Sequence, residues 1–256
     1  MKWRDLRQIV PSTRGGGGWG GPIVGDPINW MLHYGVQLDS AIKNERGWTQ
    51  IDTSHLDRGI PEVPWGEDVL LAPCPFTSGK KRIETHMLFL GLDCFHGSML
   101  TLHEWHAIHG RAHNMDVHSE LYSTAPWCAE TTASYRWYCM PILPPVYSMD
   151  VDYEPKIAQL PPEYEVSLAV EVVPMYFFLH RIEGGCGDHY SGPKSLRWCR
   201  DAVPGYQQPG VDPGERRVRL SVFWPTIMTE HVLHQSPLSN HYEQGIGVAA
   251  SLKVPS

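Results

Sequence analysis

The stretch ERRVRLSVF, residues 215–223, places Val218, Leu220 and Val222 at alternate positions along the chain. Strict alternation of apolar and polar residues is typical of a strand with one buried face. A second alternating stretch, GIGVAASLKV, occupies residues 245–254. The two stretches predict two strands that bound a long tract near the end of the sequence.

The tract between these strands follows neither a helix period nor a strand period, although it is rich in large side chains. Long irregular segments in compact domains are usually functional or disordered, and a disordered segment would be poor in aromatic residues. We expect Trp224, Ile227 and Leu233 to pack beneath the surface. The residues expected to be exposed are Thr229, His231, His234, Asn240, His241 and Tyr242.

Further strands are predicted upstream of this region. The run THMLFLGL, residues 85–92, is continuously apolar and predicts a buried strand. The aromatic run SYRWYCMPIL, residues 134–143, is rich in β-forming residues and predicts another. A short helix is predicted within residues 29–45.

A second helix is predicted within GSMLTLHEWHAIHG, residues 97–110. Thr101 and Glu104 have the spacing of a capping box, and Gly110 is placed to end the helix in the left-handed conformation. These residues predict a short helix that begins directly after Thr101.

A third helix is predicted within PPEYEVSLAVEVVPMYFFLHR, residues 161–181. Ser167 is the expected N-cap, and Pro174 would kink the helix because it lacks an amide hydrogen. We expect Glu163 and Glu165 to lie in a preceding turn as solvated carboxylates.

The composition indicates a loop-rich globular protein of the α+β class, with few helices, short antiparallel strands and long loops. Of the 256 residues, 42% are hydrophobic and only 19% are charged, and 24 Gly and 22 Pro exceed average usage. Residues 14–22 form a flexible glycine tract, and a second break lies at residues 72–82. We therefore expect an N-terminal segment at 1–82 and a main domain at 83–256, to which the resemblance described below assigns ligand binding.

The formal net charge of −7 argues against nucleic acid as a partner, because phosphate binding requires clustered Lys and Arg. No window of the sequence is apolar for long enough to span a bilayer, and no export signal is visible. We expect a cytoplasmic protein, or one that associates with a virion or a cell surface by another route.

The six cysteines contain no Cys-x-x-Cys pair, which argues against a structural zinc ribbon or finger. In a reducing compartment they are expected to be thiols, whereas secretion by a non-classical route would allow a disulfide between Cys186 and Cys199.

A histidine-rich region raises an alternative hypothesis, a metal-dependent enzyme that uses residues 86–118. The metalloprotease motif His-Glu-x-x-His is absent, since His103 is followed by a second histidine after three residues instead of four. On a helix His103, His106 and His109 spread over about 120° and do not converge on one ion. The other histidines of the region are His86, His96, His113 and His118. We therefore expect no catalytic residue, no metal and no cofactor.

The C-terminal half resembles the variable proteins of diversity-generating retroelements. In that family, a strand with an Arg-x-Arg-Asp-like or a Cys-Ser-Asp-like element precedes the variable region, which closes with a Gly-Val-Ala-Ser-x-Lys type strand. Here Trp198-Cys199-Arg200-Asp201 and the run Gly247 to Lys253 match these elements. The entry to the tract, LSVFW, and the ending Val-Pro-Ser depart from the family pattern.

The resemblance implies a C-type lectin fold of the formylglycine-generating-enzyme type and a non-enzymatic role in binding a protein or cell-surface ligand. A phage or virion structural component is a further alternative that this fold would allow. The predicted ligand-binding residues are Phe223, Trp224, Thr226, Met228, Thr229, Glu230, His231, His234, Ser236, Asn240, His241 and Tyr242.

Overall fold

A computed structural model of the chain describes residues 1–9, 24–109, 127–143, 145, 153–182, 197–204, 217–222, 227–230 and 247–255. Within these residues, helices are mixed with short, mostly antiparallel strands, and no closed barrel forms. The predicted α+β class is therefore confirmed. The glycine tract at residues 14–22 lies outside the described residues.

The described residues contain more helical segments than the few that were expected, although most are very short. The helices are α1 (Trp3–Ile9), α2 (Pro27–Tyr34), α3 (Glu67–Leu70), α4 (Arg82–Thr85), α5 (Leu102–His109), α6 (Trp127–Glu130), α7 (Tyr153–Ala158) and α8 (Ala169–Ile182), with a 3-10 helix at Leu56–Arg58. The strands are β1 (Val24–Gly25), β2 (His86–Leu90), β3 (Cys94–Phe95), β4 (Ser98–Met99), β5 (Trp137–Pro141), β6 (Tyr164–Val166), β7 (Arg197–Pro204), β8 (Arg217–Val222), β9 (Ile227–Glu230), β10 (Gly247–Val248) and β11 (Ala250–Leu252).

A three-stranded sheet in the order β1-β2-β5 lies in the core. Its two longer strands are those predicted from the apolar runs, and all residues of β2 and β5 are buried. β1 pairs with β2 in parallel, and β5 pairs with β2 antiparallel, with Leu88 opposite Cys139. Helix α8 packs so closely on this sheet that a Cβ on Gly25 would lie 2.9 Å from the ring of Phe178.

Helix α8 is buried along its described side chains, residues 169–178, because it is apolar on every face except at Glu171. It contains Pro174 as an interior residue, as the sequence indicated. Ser167 is not its N-cap. The helix begins at Ala169, and the carboxylate of Glu171 accepts the amide hydrogen of Leu168 at 2.7 Å.

Large aromatic side chains join α2, α5 and α8. The ring of Trp30 contacts those of Tyr34, Trp105 and Phe178 at centroid distances of 5.1, 6.2 and 4.8 Å. The indole nitrogen of Trp30 also donates to the carbonyl of Leu90 in β2 at 2.8 Å. A fully buried apolar side chain of this size contributes at least about 2 kcal/mol to folding, so these rings are a main source of stability.

Local signals explain the ends of α2 and α5. Asp26 caps α2 by accepting the amide hydrogen of Asn29 at 2.9 Å, and Gly35 ends it with a φ of 69°. The helix predicted within residues 29–45 is therefore shorter than that range. The amide of Glu104 donates to Thr101 Oγ1 at 3.2 Å, which confirms the predicted cap of α5.

A polar junction connects β5, β6 and α8. The Arg136 guanidinium lies 3.0 Å from Glu165 and 3.6 Å from Glu171, and the Tyr138 hydroxyl donates to Glu171 at 3.1 Å. Burial raises the pKa of Glu171, although these donors oppose the shift. The turn expected around Glu163 and Glu165 is wrong in part, because Tyr164–Val166 forms a strand.

Strands β7, β8, β9 and β10 form a four-stranded sheet in the order β10-β7-β8-β9, which we call the C-terminal sheet. β8 is the strand predicted at residues 215–223, and it pairs antiparallel with both β7 and β9. The prediction of an irregular tract after β8 is wrong in part, because Ile227–Glu230 in that tract forms the strand β9.

The strand predicted at residues 245–254 is interrupted. Its first part is β10, which pairs in parallel with β7, and its second part is β11, which pairs antiparallel with β6. Ala249 lies between them, and its carbonyl accepts the amide hydrogen of Ser167 at 2.7 Å. The chain thus leaves the C-terminal sheet and joins the core, where Ala250 and Leu252 are buried.

The described core draws on residues from both sides of position 82. Leu6, Trp30 and Trp65 belong to the same buried cluster as Phe89 and Leu252. The indole nitrogen of Trp65 donates to the carbonyl of Lys253 at 2.8 Å, so residues before position 82 are in direct contact with the last described segment.

Candidate functional site

A tight hairpin formed by β3 and β4 begins the candidate site. Phe95 pairs with Ser98, so that His96 and Gly97 form a two-residue turn. Both have positive φ, 48° for His96 and 79° for Gly97, as a type I′ turn requires. Positive φ is uncommon at a residue other than glycine, and here the turn type accounts for it. The hairpin fixes the positions of Cys94 and of the preceding Asp93.

A second segment, residues 52–58, is attached to this hairpin through Asp52. The buried Asp52 carboxylate accepts hydrogen bonds from the Ser54 amide at 2.9 Å, the Ser54 hydroxyl at 2.6 Å and the His96 amide at 2.8 Å. Burial raises the pKa of Asp52, but the hydrogen bonds outweigh burial and lower it below its ordinary value. Asp52 therefore acts as an ionised acceptor that joins the two segments.

His55, a residue of the second segment, is fully buried against the start of the hairpin. Its Nε2 is 3.0 Å from Asp93 Oδ1 and 3.6 Å from Cys94 Sγ, and its Nδ1 is 3.3 Å from Ser54 Oγ. The ring contacts that of Tyr135 at a centroid distance of 4.8 Å. Both ring nitrogens and one ring face thus have fixed neighbours.

Arg58 lies on the solvent side of this group of residues. Its guanidinium donates to both carboxylate oxygens of Asp93, at 2.7 and 2.9 Å, and lies 4.3 Å from the ring centre of Tyr135. Burial alone would raise the pKa of Asp93, but the hydrogen bonds from Arg58 and His55 lower it to about 2. Burial raises the pKa of Tyr135 to about 12, and its hydroxyl donates to the carbonyl of Gly59. We call this group the Cys94 cluster; its members are Asp52, Ser54, His55, Arg58, Asp93, Cys94 and Tyr135.

The Cys94 cluster combines a thiol, an imidazole and a carboxylate, which are metal-ligating groups. It does not have the geometry of a nucleophilic triad, because Asp93 and Cys94 approach the same ring nitrogen of His55. In such a triad the carboxylate and the nucleophile contact opposite nitrogens. Among the described residues, this is one group of three side chains with the spacing of metal ligands.

Little in the sequence indicates the Cys94 cluster. His-Gly at positions 96 and 97 is a turn signal between two short stretches, but nothing local relates it to His55. The contacts bridge a separation of 38 residues between His55 and Asp93, so the cluster is visible only after folding.

The histidines of the alternative hypothesis are placed separately along β2, the hairpin and α5. His86 is buried, and its ring nitrogens contact Tyr164 Oη at 2.8 Å and Thr85 Oγ1 at 2.9 Å. His103 is exposed and His106 is half-buried. His109 ends α5, whereas His113 and His118 lie outside the described residues.

Three of the predicted ligand-binding residues fall within the described part of the chain. Met228, Thr229 and Glu230 belong to β9 at the edge of the C-terminal sheet. The other nine lie outside the described residues: Phe223, Trp224, Thr226, His231, His234, Ser236, Asn240, His241 and Tyr242. Cys186 also lies outside them, while Cys199 is buried in β7.

Comparison with known proteins yielded no relative: no protein-family model, no curated protein and no solved structure matches the chain. In the described part of the chain, no helix has both the length and the apolar character that crossing a membrane requires.

Proposed function

We propose that the protein is a non-enzymatic ligand-binding protein whose recognition surface is carried by the C-terminal sheet and the tract that follows β9, as in the variable proteins of diversity-generating retroelements. The C-type lectin fold implied by that resemblance is part of the proposal. The expected partner is a protein or a cell-surface ligand, bound by the twelve side chains predicted from the sequence.

The observation that carries the proposal is the position of β9 and β10 at opposite edges of the C-terminal sheet. Residues 231–246 connect these two strands. The edges are three strand spacings apart, about 14 Å, and the two strands run parallel, so the connection must also cross the sheet and return along its length. A crossover of this kind takes about a dozen residues or more, and connections held on a rigid scaffold often carry binding residues, which is the role that we propose for this one.

Both ends of the tract are anchored by backbone pairing. β9 pairs with β8, and β10 pairs with β7 so that Val248 lies opposite Trp198. Val248, Ala250 and Leu252 are buried. The two sequence elements on which the resemblance rests, one in β7 and one in β10–β11, are thus neighbours. A scaffold fixed in this way could accept many different side chains between its anchors.

Replacement of four proposed contact residues tests whether they are displayed. We expect a variant with His231, His234, His241 and Tyr242 changed to Ala to keep the melting temperature of the parent protein within a few degrees, because solvent-facing side chains contribute little to stability. Thermal unfolding followed by circular dichroism measures this. A large fall in melting temperature would show that these side chains belong to the core.

A display library tests the binding function without a known ligand. The twelve proposed positions are randomised on phage, the folded fraction is scored by protease resistance, and binders are selected against egg-white lysozyme as a probe. We expect most members to resist protease and specific binders to be recovered. A control library randomised in β2 and β5 should be largely degraded. Equal protease sensitivity of the two libraries, or the absence of binders from a protease-resistant library, would contradict the proposal.

A further inference from the structure

His55, Asp93 and Cys94 bring one nitrogen, one oxygen and one sulfur donor within 4.8 Å of one another. His55 Nε2 is 3.6 Å from Cys94 Sγ and 3.0 Å from Asp93 Oδ1. In tetrahedral zinc coordination, bonds of about 2.3 Å to sulfur and about 2.0 Å to nitrogen place the sulfur and nitrogen atoms about 3.5 Å apart. We propose that these three side chains bind a zinc ion, at a site independent of the proposed recognition surface.

Ser54 and Asp52 orient the imidazole for this role. The Ser54 hydroxyl lies 2.6 Å from Asp52 Oδ1, and an ionised carboxylate can only accept, so this hydroxyl donates to Asp52. Ser54 Oγ is then an acceptor for the Nδ1 hydrogen of His55, at 3.3 Å. Zinc binding would use this tautomer, in which the lone pair of Nε2 faces Asp93 and Cys94, and would displace the hydrogen that Nε2 otherwise donates to Asp93. A zinc ion would take the place of the hydrogen between Nε2 and Asp93, and an outer hydrogen bond to the ligating histidine, as Ser54 supplies here, is usual in metal sites.

The donor set selects the kind of metal. Magnesium and calcium prefer oxygen ligands, whereas zinc combines thiolate, imidazole and carboxylate. Coordination displaces the thiol proton of Cys94, which leaves to solvent. The side chain of Asp93 is 33% exposed and Cys94 is half-buried, so a water molecule can reach a fourth coordination position.

Replacement of Arg58 tests the proposal, because zinc binding predicts the direction in which the affinity for the metal changes. Arg58 holds both oxygens of Asp93 and places a positive charge beside the proposed ion. Replacement of Arg58 by Ala removes this competitor and its repulsion, so we expect zinc to bind several-fold more tightly. If the cluster served only to hold the two segments together, this variant would bind metal no better than the parent protein.

Cobalt substitution measures binding directly. Protein freed of metal with a chelator is titrated with Co²⁺ under reducing conditions. We expect one equivalent to produce near-ultraviolet thiolate-to-cobalt charge transfer, and Zn²⁺ to abolish it. Cys94→Ser and His55→Gln should lose the absorption, and Ser54→Ala should weaken binding by about tenfold or more. Cys74→Ser and His103→Gln are matched controls outside the cluster and should retain it.

A measurement on the unaltered protein covers the case in which a variant fails to fold. Alkylation of Cys94 by iodoacetamide is followed by peptide mass spectrometry, and we expect Zn²⁺ but not Mg²⁺ to slow it at least tenfold. Absence of both protection and charge transfer would overturn the proposal and show that hydrogen bonds alone hold these three side chains together. Charge transfer that persists in Cys94→Ser, or that disappears in Cys74→Ser, would place the metal elsewhere and overturn it equally.

Discussion

The Cys94 cluster and the C-terminal sheet are stabilised by different parts of the chain. In the cluster, side chains make the connection: the Asp52 carboxylate accepts three hydrogen bonds, and Asp93 contacts both His55 and Arg58. In the C-terminal sheet, backbone pairing makes the connection, since β8 pairs with β7 on one side and β9 on the other.

This difference predicts which substitutions each region tolerates. A group held by side-chain hydrogen bonds loses its geometry when a single acceptor is removed. A sheet held by its backbone retains its geometry when side chains change, as long as each residue can still donate its amide hydrogen. The first property suits a site with a fixed chemical task, and the second suits a surface that varies.

The largest effect is expected from proline in the C-terminal sheet. Ser221 lies in β8 opposite both Trp198 and Met228, so Ser221→Pro removes a ladder hydrogen bond from a strand that is paired on both sides. We expect a loss of about 3 kcal/mol or more in the free energy of unfolding, measured by urea denaturation. Ser221→Ala, the matched control, should cost less than about 1 kcal/mol. Equal losses for the two variants would contradict a sheet held by its backbone.

A slightly smaller effect is expected from removal of the acceptor in the Cys94 cluster. Asp52→Ala leaves the amides of Ser54 and His96 and the Ser54 hydroxyl without their acceptor, at a cost of about 2–3 kcal/mol. Asp52→Asn keeps one acceptor oxygen and should cost less. Urea denaturation of chelator-treated protein provides the measurement. A loss below about 0.5 kcal/mol for Asp52→Ala would show that the cluster does not depend on this side chain.

The smallest effect is expected from acidification. The pKa of Asp52 is lowered in the folded protein, so its ionised form contributes stability that is fully present above the ordinary pKa of 3.8 and is lost as the pH falls through the lower folded value. We expect the difference in free energy of unfolding between the parent protein and Asp52→Asn to shrink from pH 6 to pH 3. The difference between the parent protein and Ser221→Ala should stay constant over this range, because no titratable group is changed. A difference for Asp52→Asn that grows on acidification would reverse the assigned direction of the shift.

The elements that the sequence predicted correctly have strong local signals. β2 and β5 follow from long apolar runs, β8 from alternation, and the start of α5 from Thr101. β6 and β9 have only three and four residues, too few for a recognisable period, and they form because distant strands offer them a partner. The division of residues 245–254 between two sheets has the same cause, since β7 and β6 are both remote in sequence.

The sequence by itself therefore determined the α+β class, the main buried strands and the two strands that flank the C-terminal tract, because burial periodicity and capping depend on neighbouring residues. It also led to an expectation of no metal, because its histidines lack a local ligand motif. Only the tertiary structure brought His55 to Asp93 and Cys94, through the hydrogen bond that joins Asp52 to the turn at His96. Such a contact depends on how the whole chain folds, and no local pattern of residues encodes it.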